Sequence, residues 1–156
     1  MGTVMIGKSD SVEYSSPVGL VAPLIEEFSL DLDVCASASN SKLERYWTKD
    51  DDALSLDWVG NCWMNPPFGR DLGKWVRKAC IDARLFGGTK VCLVPVRSNT
   101  KWWCEVCIES EIRFINGEVR FSGSVRGLWM PLCVMIFGEG AMVGSFGVID
   151  YRGMIG

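Results

Sequence analysis

The sequence predicts an α/β domain built on one mostly parallel sheet with a partly antiparallel end. Three observations carry this. Strand-like and helix-like segments alternate through residue 110, and strand-like segments follow. "TKVCLVPV", residues 89–96, is almost continuously apolar, as strands covered on both faces are. "DLGKWVRKACIDARLF", residues 71–86, sets Leu72, Trp75, Val76, Ala79, Cys80 and Ala83 on one helical stripe.

The elements follow in order. "SSPVGLVAPLIEEF" opens with Ser and Pro and spaces Leu20, Leu24 and Phe28 as a short capped helix, despite Pro23. "FSLDLDVCAS" alternates Phe28, Leu30, Leu32 and Val34 as a strand, with Asp31 and Asp33 on its other face. "LERYWT" reads as a second short strand and "DDDALSLDW" as an acidic loop. "NCWMN" is a strand that two consecutive prolines stop abruptly, since each fixes φ and removes a donor. Gly87 and Gly88 close the long helix. "TKWWCEVCIES" is a helix, and "EIRFINGEVRF" reads as two strands about the turn pair Asn116-Gly117. "LWMPLCVMIFG" is the last core strand. With no repeat, linker or low-complexity stretch, residues 1–156 are expected to form one domain, residues 1–12 being flexible.

Composition narrows the function. Apolar residues make up 48% and charged residues 22%, as in a globular domain with a core. No apolar run reaches membrane-spanning length, and the N-terminus lacks a signal-peptide core, so a cytoplasmic protein is expected. The absence of histidine excludes histidine triads and histidine bases. Seven cysteines are scattered singly except Cys104 and Cys107, a half-site too small for zinc, so no metal is expected. "GTVMIGKS", residues 2–9, matches a phosphate-binding loop in spelling, but only Met1 stands where that loop needs a strand.

Charge is unevenly spread. Residues 1–69 carry 4 basic and 11 acidic side chains, and residues 70–126 carry 11 basic and 6 acidic. Tryptophans punctuate the positive segment, a combination suited to a polyanion with flat bases. Arg70, Lys74, Arg97, Lys101, Trp102, Arg120 and Arg126 are the candidate contacts. A solvated helix face is the other reading of the same excess. In open sheets of this kind ligands sit beyond the carboxyl ends of the strands. Three loops meet that rule: the one after "LDLDV", the one holding "NPPF" and "RSNTKWW" after "CLVPV".

With these landmarks in order, the chain resembles the phage DNA N-6-adenine-methyltransferase (Dam) family from about Tyr14 to Phe137. The resemblance rests on "SSP" before a helix, "FSLDLDVCASASNSK", "YWTKDDDALSLDW", "CWMNPPFG", "KWVRKA", "VCLVPVRSNTKWW" and "IRFINGEVRF". It implies a Rossmann-like fold and transfer of a methyl group from S-adenosyl-L-methionine (SAM) to the N6 amine of adenine in double-stranded DNA. By the same resemblance Asn65, Pro66, Pro67 and Phe68 are catalytic. Ser16, Pro17, Asp33, Cys35, Ala36, Asp57 and Asn65 would contact the cofactor. An origin in a phage or prophage, the host cytoplasm, and a monomer or homodimer are also implied. The chain departs from the family in reading Ser16-Pro17 for Thr-Pro and Gly117-Glu118 for Gly-Arg, and it lacks the glycine-rich form of the first segment. An N4-cytosine enzyme and an inactive nucleic-acid-binding module are the alternatives.

The implied chemistry suits the residues. The adenine amine is a poor nucleophile because its lone pair is delocalised. Two preorganised acceptors, the Asn65 side-chain oxygen and the Pro66 carbonyl, would orient that lone pair without a strong base. Phe68 would offer a stacking face to a flipped base.

Overall fold

A computed structural model describes residues 17–119 and 130–154. Six strands form one sheet in the order β1-β2-β3-β5-β4-β6. The strands are β1 (Leu32–Asp33), β2 (Cys62–Met64), β3 (Thr89–Pro95), β4 (Glu111–Asn116), β5 (Leu132–Gly138) and β6 (Phe146–Asp150). β1, β2 and β3 are parallel to one another, as are β4 and β6. β5 runs antiparallel to β3 and β4, so it alone is reversed. The mostly parallel α/β sheet expected from the sequence is thus present, with the reversed strand inside the sheet rather than on its edge.

Helices α2 (Leu72–Phe86) and α3 (Lys101–Val106) cover one face, and α1 (Val18–Phe28) the other. Alternation along β3 shows why its sequence is continuously apolar. Cys92 and Val94 join the α2 cluster, and Val91 and Leu93 join the α1 cluster. Cys62, Cys80, Cys92 and Cys133 are buried free thiols that act as small core hydrophobes. Burial pushes the Cys62 thiol up to about 11 and the Cys133 thiol up to about 12, so neither is a nucleophile near neutral pH.

Several expectations are corrected. α1 has no side-chain cap among the described residues; the Pro17 carbonyl accepts from Leu20 and Val21 (both 3.1 Å). Pro23 is tolerated because it and Gly19, whose carbonyl loses its donor, lie on the exposed side. The strand expected from Phe28 shrinks to two residues, because α1 continues through Phe28 and Ser29 turns left-handed at φ 51°. "LERYWT" contributes one isolated bridge, Asp33 to Tyr46. The acidic loop contains two 3-10 turns, Lys49–Asp51 and Ala53–Ser55, the first closed by a Thr48–Asp51 capping box.

Asn116-Gly117 bends the chain with Gly117 at φ 133°. β4 is flanked by β5 along Glu111–Phe114 and by β6 along Ile112–Asn116. The rest of the expected second arm, through Phe121, lies outside the described residues. β5 is not the last strand either. β6 follows it, and its exposed Phe146 and Val148 give no core signal.

Candidate active site

The carboxyl ends of β1, β2 and β3 lie on one edge of the sheet. Their registers fix the heights of the loops. Asp33 is level with Trp63, and Met64 with Cys92. β3 therefore runs three residues beyond the level of Met64, roughly 10 Å at strand rise, before its loop begins. The loop at 97–100 and the start of α3 stand above the turn that ends β2.

That turn is Asn65–Phe68. Pro66 is buried, while Asn65, Pro67 and Phe68 are half-buried. Phe68 packs against both core clusters, at the rim where the two faces of the sheet meet. The chain then turns into α2, with Leu72 N–H donating to the Gly69 carbonyl (3.1 Å). α2 is thereby anchored directly behind the turn. Gly73 in its first turn is buried against Trp102, and a Cβ there would stand 2.8 Å from the indole. The missing side chain lets α3 seat on α2. Trp102 is half-buried in that contact and meets Trp103 edge-on at 5.8 Å.

At the end of β1, Asp33 is only 2% exposed. Its carboxylate organises the following loop. Cys35 N–H donates to Oδ1 (3.2 Å) and Lys42 N–H to Oδ2 (3.1 Å). Its backbone does likewise: Trp47 N–H donates to the Asp33 carbonyl and Ala36 N–H to the Trp47 carbonyl, both at 2.9 Å. Burial pushes the Asp33 carboxyl up to about 6, against the opposing pull of the Lys42 and Cys35 N–H groups. The half-buried Lys42 ammonium also favours the ionised acid, and burial outweighs all three influences. Half-buried Cys35, Ala36 and Trp47 surround it.

The remaining candidates are held by other contacts. Asp57 is exposed beside Trp58, whose backbone N–H donates to Asp82 (2.9 Å). Asp82 is ten residues beyond Leu72 in α2, roughly 15 Å along the helix from the turn. The Trp58 ring reaches back to Trp75 in the first turn of α2, at 6.0 Å between centroids. Trp47, absent from the sequence-derived candidates, stands at the end of β1. Its signal is the short apolar run in "LERYWT", whose pairing to Asp33 only the fold reveals. Pro17 begins α1, whose other end leads into the start of β1. Ser16, Arg120 and Arg126 lie outside the described residues.

The positive segment is largely neutralised internally. Arg77 pairs with Glu105 (2.7 Å), Lys78 with Asp82 (2.9 Å), Arg84 with Glu109 (2.9 Å), and Arg113 with Glu27 and Glu111 (both 2.7 Å). Lys90 is buried and donates to the Gly60 and Gly87 carbonyls at 2.7 Å each. Lys74 meets Asp71 loosely at 3.4 Å, with both side chains exposed. Among the described residues, Arg70, Arg97 and Lys101 of this segment have no ion-pair partner. All three border the β2 turn or the β3 loop. Cys104 and Cys107 gather no further metal-ligating side chains among the described residues.

A mostly parallel sheet whose strand-end edge carries an acid, a proline-stiffened amide turn and these cations is a Rossmann-like α/β domain with its candidate site where such sheets bind ligands. The sequence matches the family described as DNA N-6-adenine-methyltransferase (Dam) over residues 5–129. It is 33% identical over 124 residues to a DNA N-6-adenine-methyltransferase of Haemophilus phage HP1, covering 71% of this chain and 70% of that one. It is 30% identical over 96 residues to a protein of the same description from Escherichia phage T1, covering 59% of this chain and 39% of that one. Among solved structures it is similar to a modification subunit of a putative type I restriction enzyme from Vibrio vulnificus YJ016. That likeness has 12% identity and a TM-score of 0.47, covering 89% of this chain and 46% of that one. The chain belongs to the DNA N-6-adenine-methyltransferase (Dam) family, and its activity is methylation of the N6 amine of adenine in DNA.

Proposed function

We propose that this single domain methylates adenine in duplex DNA at the Asn65–Phe68 turn, with SAM held beside the end of β1. The observation that carries this reading is the adjacency of the two loops. Asp33 is level with Trp63, so the loops after β1 and β2 leave neighbouring strands about 5 Å apart. The donor set suits SAM: a buried carboxylate at a strand end for its ammonium, and Ala36 and Trp47 for its apolar surface. When bound, SAM supplies an electrophilic methyl group on a sulfonium. Asp33 and its loop hold the cofactor's amino-acid end. The Asn65 side-chain oxygen and the Pro66 carbonyl accept hydrogen bonds from the adenine amine and aim its lone pair. The prolines keep the two acceptors fixed, which supplies orientation before reaction rather than during it. Phe68 stacks on the flipped base, and Arg70, Lys74, Arg97 and Lys101 hold the flanking phosphates. Phage relatives support a working place in the cytoplasm of a bacterial host.

Purified protein incubated with SAM and duplex DNA, followed by nucleoside mass spectrometry, tests this reading. N6-methyladenine is expected. Product formed only on single strands, or 4-methylcytosine alone, would overturn it.

A further inference from the structure

The loop after β1 returns to the strand end and fixes Lys42 there. Lys42 N–H donates to Asp33 Oδ2 at 3.1 Å, so position 42 stands directly against the buried carboxylate. Its neighbours on both sides are tied down. Ser41 Oγ donates to the Leu43 carbonyl at 2.6 Å and accepts from Leu43 N–H at 3.1 Å. Leu43 packs on the α1 cluster. Upstream, Ser37 N–H donates to Asn40 Oδ1 at 2.7 Å, and Ser41 N–H to the Ser37 carbonyl at 3.1 Å.

The Lys42 side chain takes no part in this network. Among the described residues its ammonium has no hydrogen-bond or ion-pair partner, and Asp33 acts on it through space alone. The side chain nevertheless stays half-buried rather than extending into water. Burial lowers its pKa, and the Asp33 charge opposes that pull. A buried carboxylate and a half-buried ammonium thus stand side by side without joining, and neither water nor a closed ion pair fully compensates the cation. A molecule that carries both charges completes the arrangement. In an α-amino acid the ammonium nitrogen lies about 2.5 Å from the carboxyl carbon, so the groups that read it must be close neighbours of opposite sign.

We propose that Lys42 binds the carboxylate of SAM's amino-acid end, beside the ammonium that Asp33 takes, so that the two residues recognise the cofactor as a zwitterion. This rests on the reading that SAM lies at the end of β1. A lysine is a compact charge with three rotatable donors on a flexible stem, which suits a carboxylate that arrives with the ligand. The stitched loop supplies the fixed base from which that stem reaches. The consequence is selectivity: an adenosine sulfonium without the carboxylate leaves Lys42 unanswered.

Calorimetry of the full chain with three ligands tests this. They are SAM, decarboxylated SAM, which keeps the ammonium, and 5′-methylthioadenosine, which has neither ammonium nor carboxylate. Wild type should bind SAM roughly 10- to 100-fold more tightly than decarboxylated SAM, the usual size of a charge-assisted contact. Lys42→Met should lose that preference, and Lys42→Arg should keep most of it. Equal binding of SAM and decarboxylated SAM by wild type, a result that depends on no variant folding, would overturn the proposal. So would a Lys42→Met chain that still prefers SAM by the same factor, or one weakened equally toward all three ligands, the mark of a loop that has shifted. Decarboxylated SAM bound no better than 5′-methylthioadenosine, with the preference for SAM intact, would uphold Lys42 and remove the ammonium role of Asp33. Failure of wild type to bind SAM at all would overturn both.

Discussion

Burial holds the Asp33 carboxyl near 6, well above an ordinary aspartate, although two backbone N–H groups favour its ionised form. The folded chain therefore binds a proton more tightly than the unfolded chain does between about pH 4 and 6. Without cofactor, stability should fall as pH rises through that window, by up to roughly 3 kcal/mol, and level off above it. Asp33→Asn should flatten the decline in denaturant titrations across pH. Binding should respond oppositely. An ammonium favours the carboxylate, so SAM affinity should rise with pH through about 6 and then plateau. 5′-Methylthioadenosine lacks the ammonium and should show no such step in calorimetry. An equal step for both ligands would mean that Asp33 only shapes its loop. The residue is conspicuous in the sequence as an acid closing an apolar strand. Its hold on Lys42, nine residues away, is not, because nothing in the intervening "CASASNSK" announces that the loop returns.

At the scale of elements, the Gly73–Trp102 contact locks α3 onto the helix that starts behind the Asn65–Phe68 turn. Gly73→Ala should cost roughly 1–3 kcal/mol, the usual penalty of overpacking. Trp102→Leu in the same chain should return part of that loss, and the two changes should be clearly non-additive in thermal or denaturant melts. Additive effects would place the indole elsewhere. α2 and β3 are legible in the sequence because their patterns are complete: an apolar stripe from Leu72 to Ala83 in one, and burial on both faces in the other. The β2 turn is legible because two prolines permit little else. β6 is not, since its apolar residues face solvent and Gly144 and Gly147 read as turn signals. The place of the loop that holds Asp57 is not legible either. Spacing along the chain does not tell which end of α2 a preceding loop will meet, and the Trp58–Asp82 bond decides it.

For the whole molecule, the positive segment seen in the sequence separates into structural and unpaired cations only when long-range partners are known; Arg84 and Glu109, for example, are 25 residues apart. Replacing Arg70, Arg97 or Lys101 with Ala should each reduce the slope of log affinity against log salt by about one phosphate's contribution, near 0.9. Arg77→Ala and Arg84→Ala should leave it unchanged, since those side chains serve Glu105 and Glu109. Equal effects from both groups would place the DNA elsewhere. The central claim is a division of labour along one sheet edge, with the cofactor held after β1 and the amine aimed after β2. Asn65→Ala tests it most directly, by single-turnover methyl transfer and SAM calorimetry on the same preparation. Transfer should fall by about 100-fold or more, as when one preorganised hydrogen-bonding group is lost, with SAM affinity nearly unchanged. Full transfer by this variant, or loss of SAM binding in proportion to lost transfer, would contradict the account.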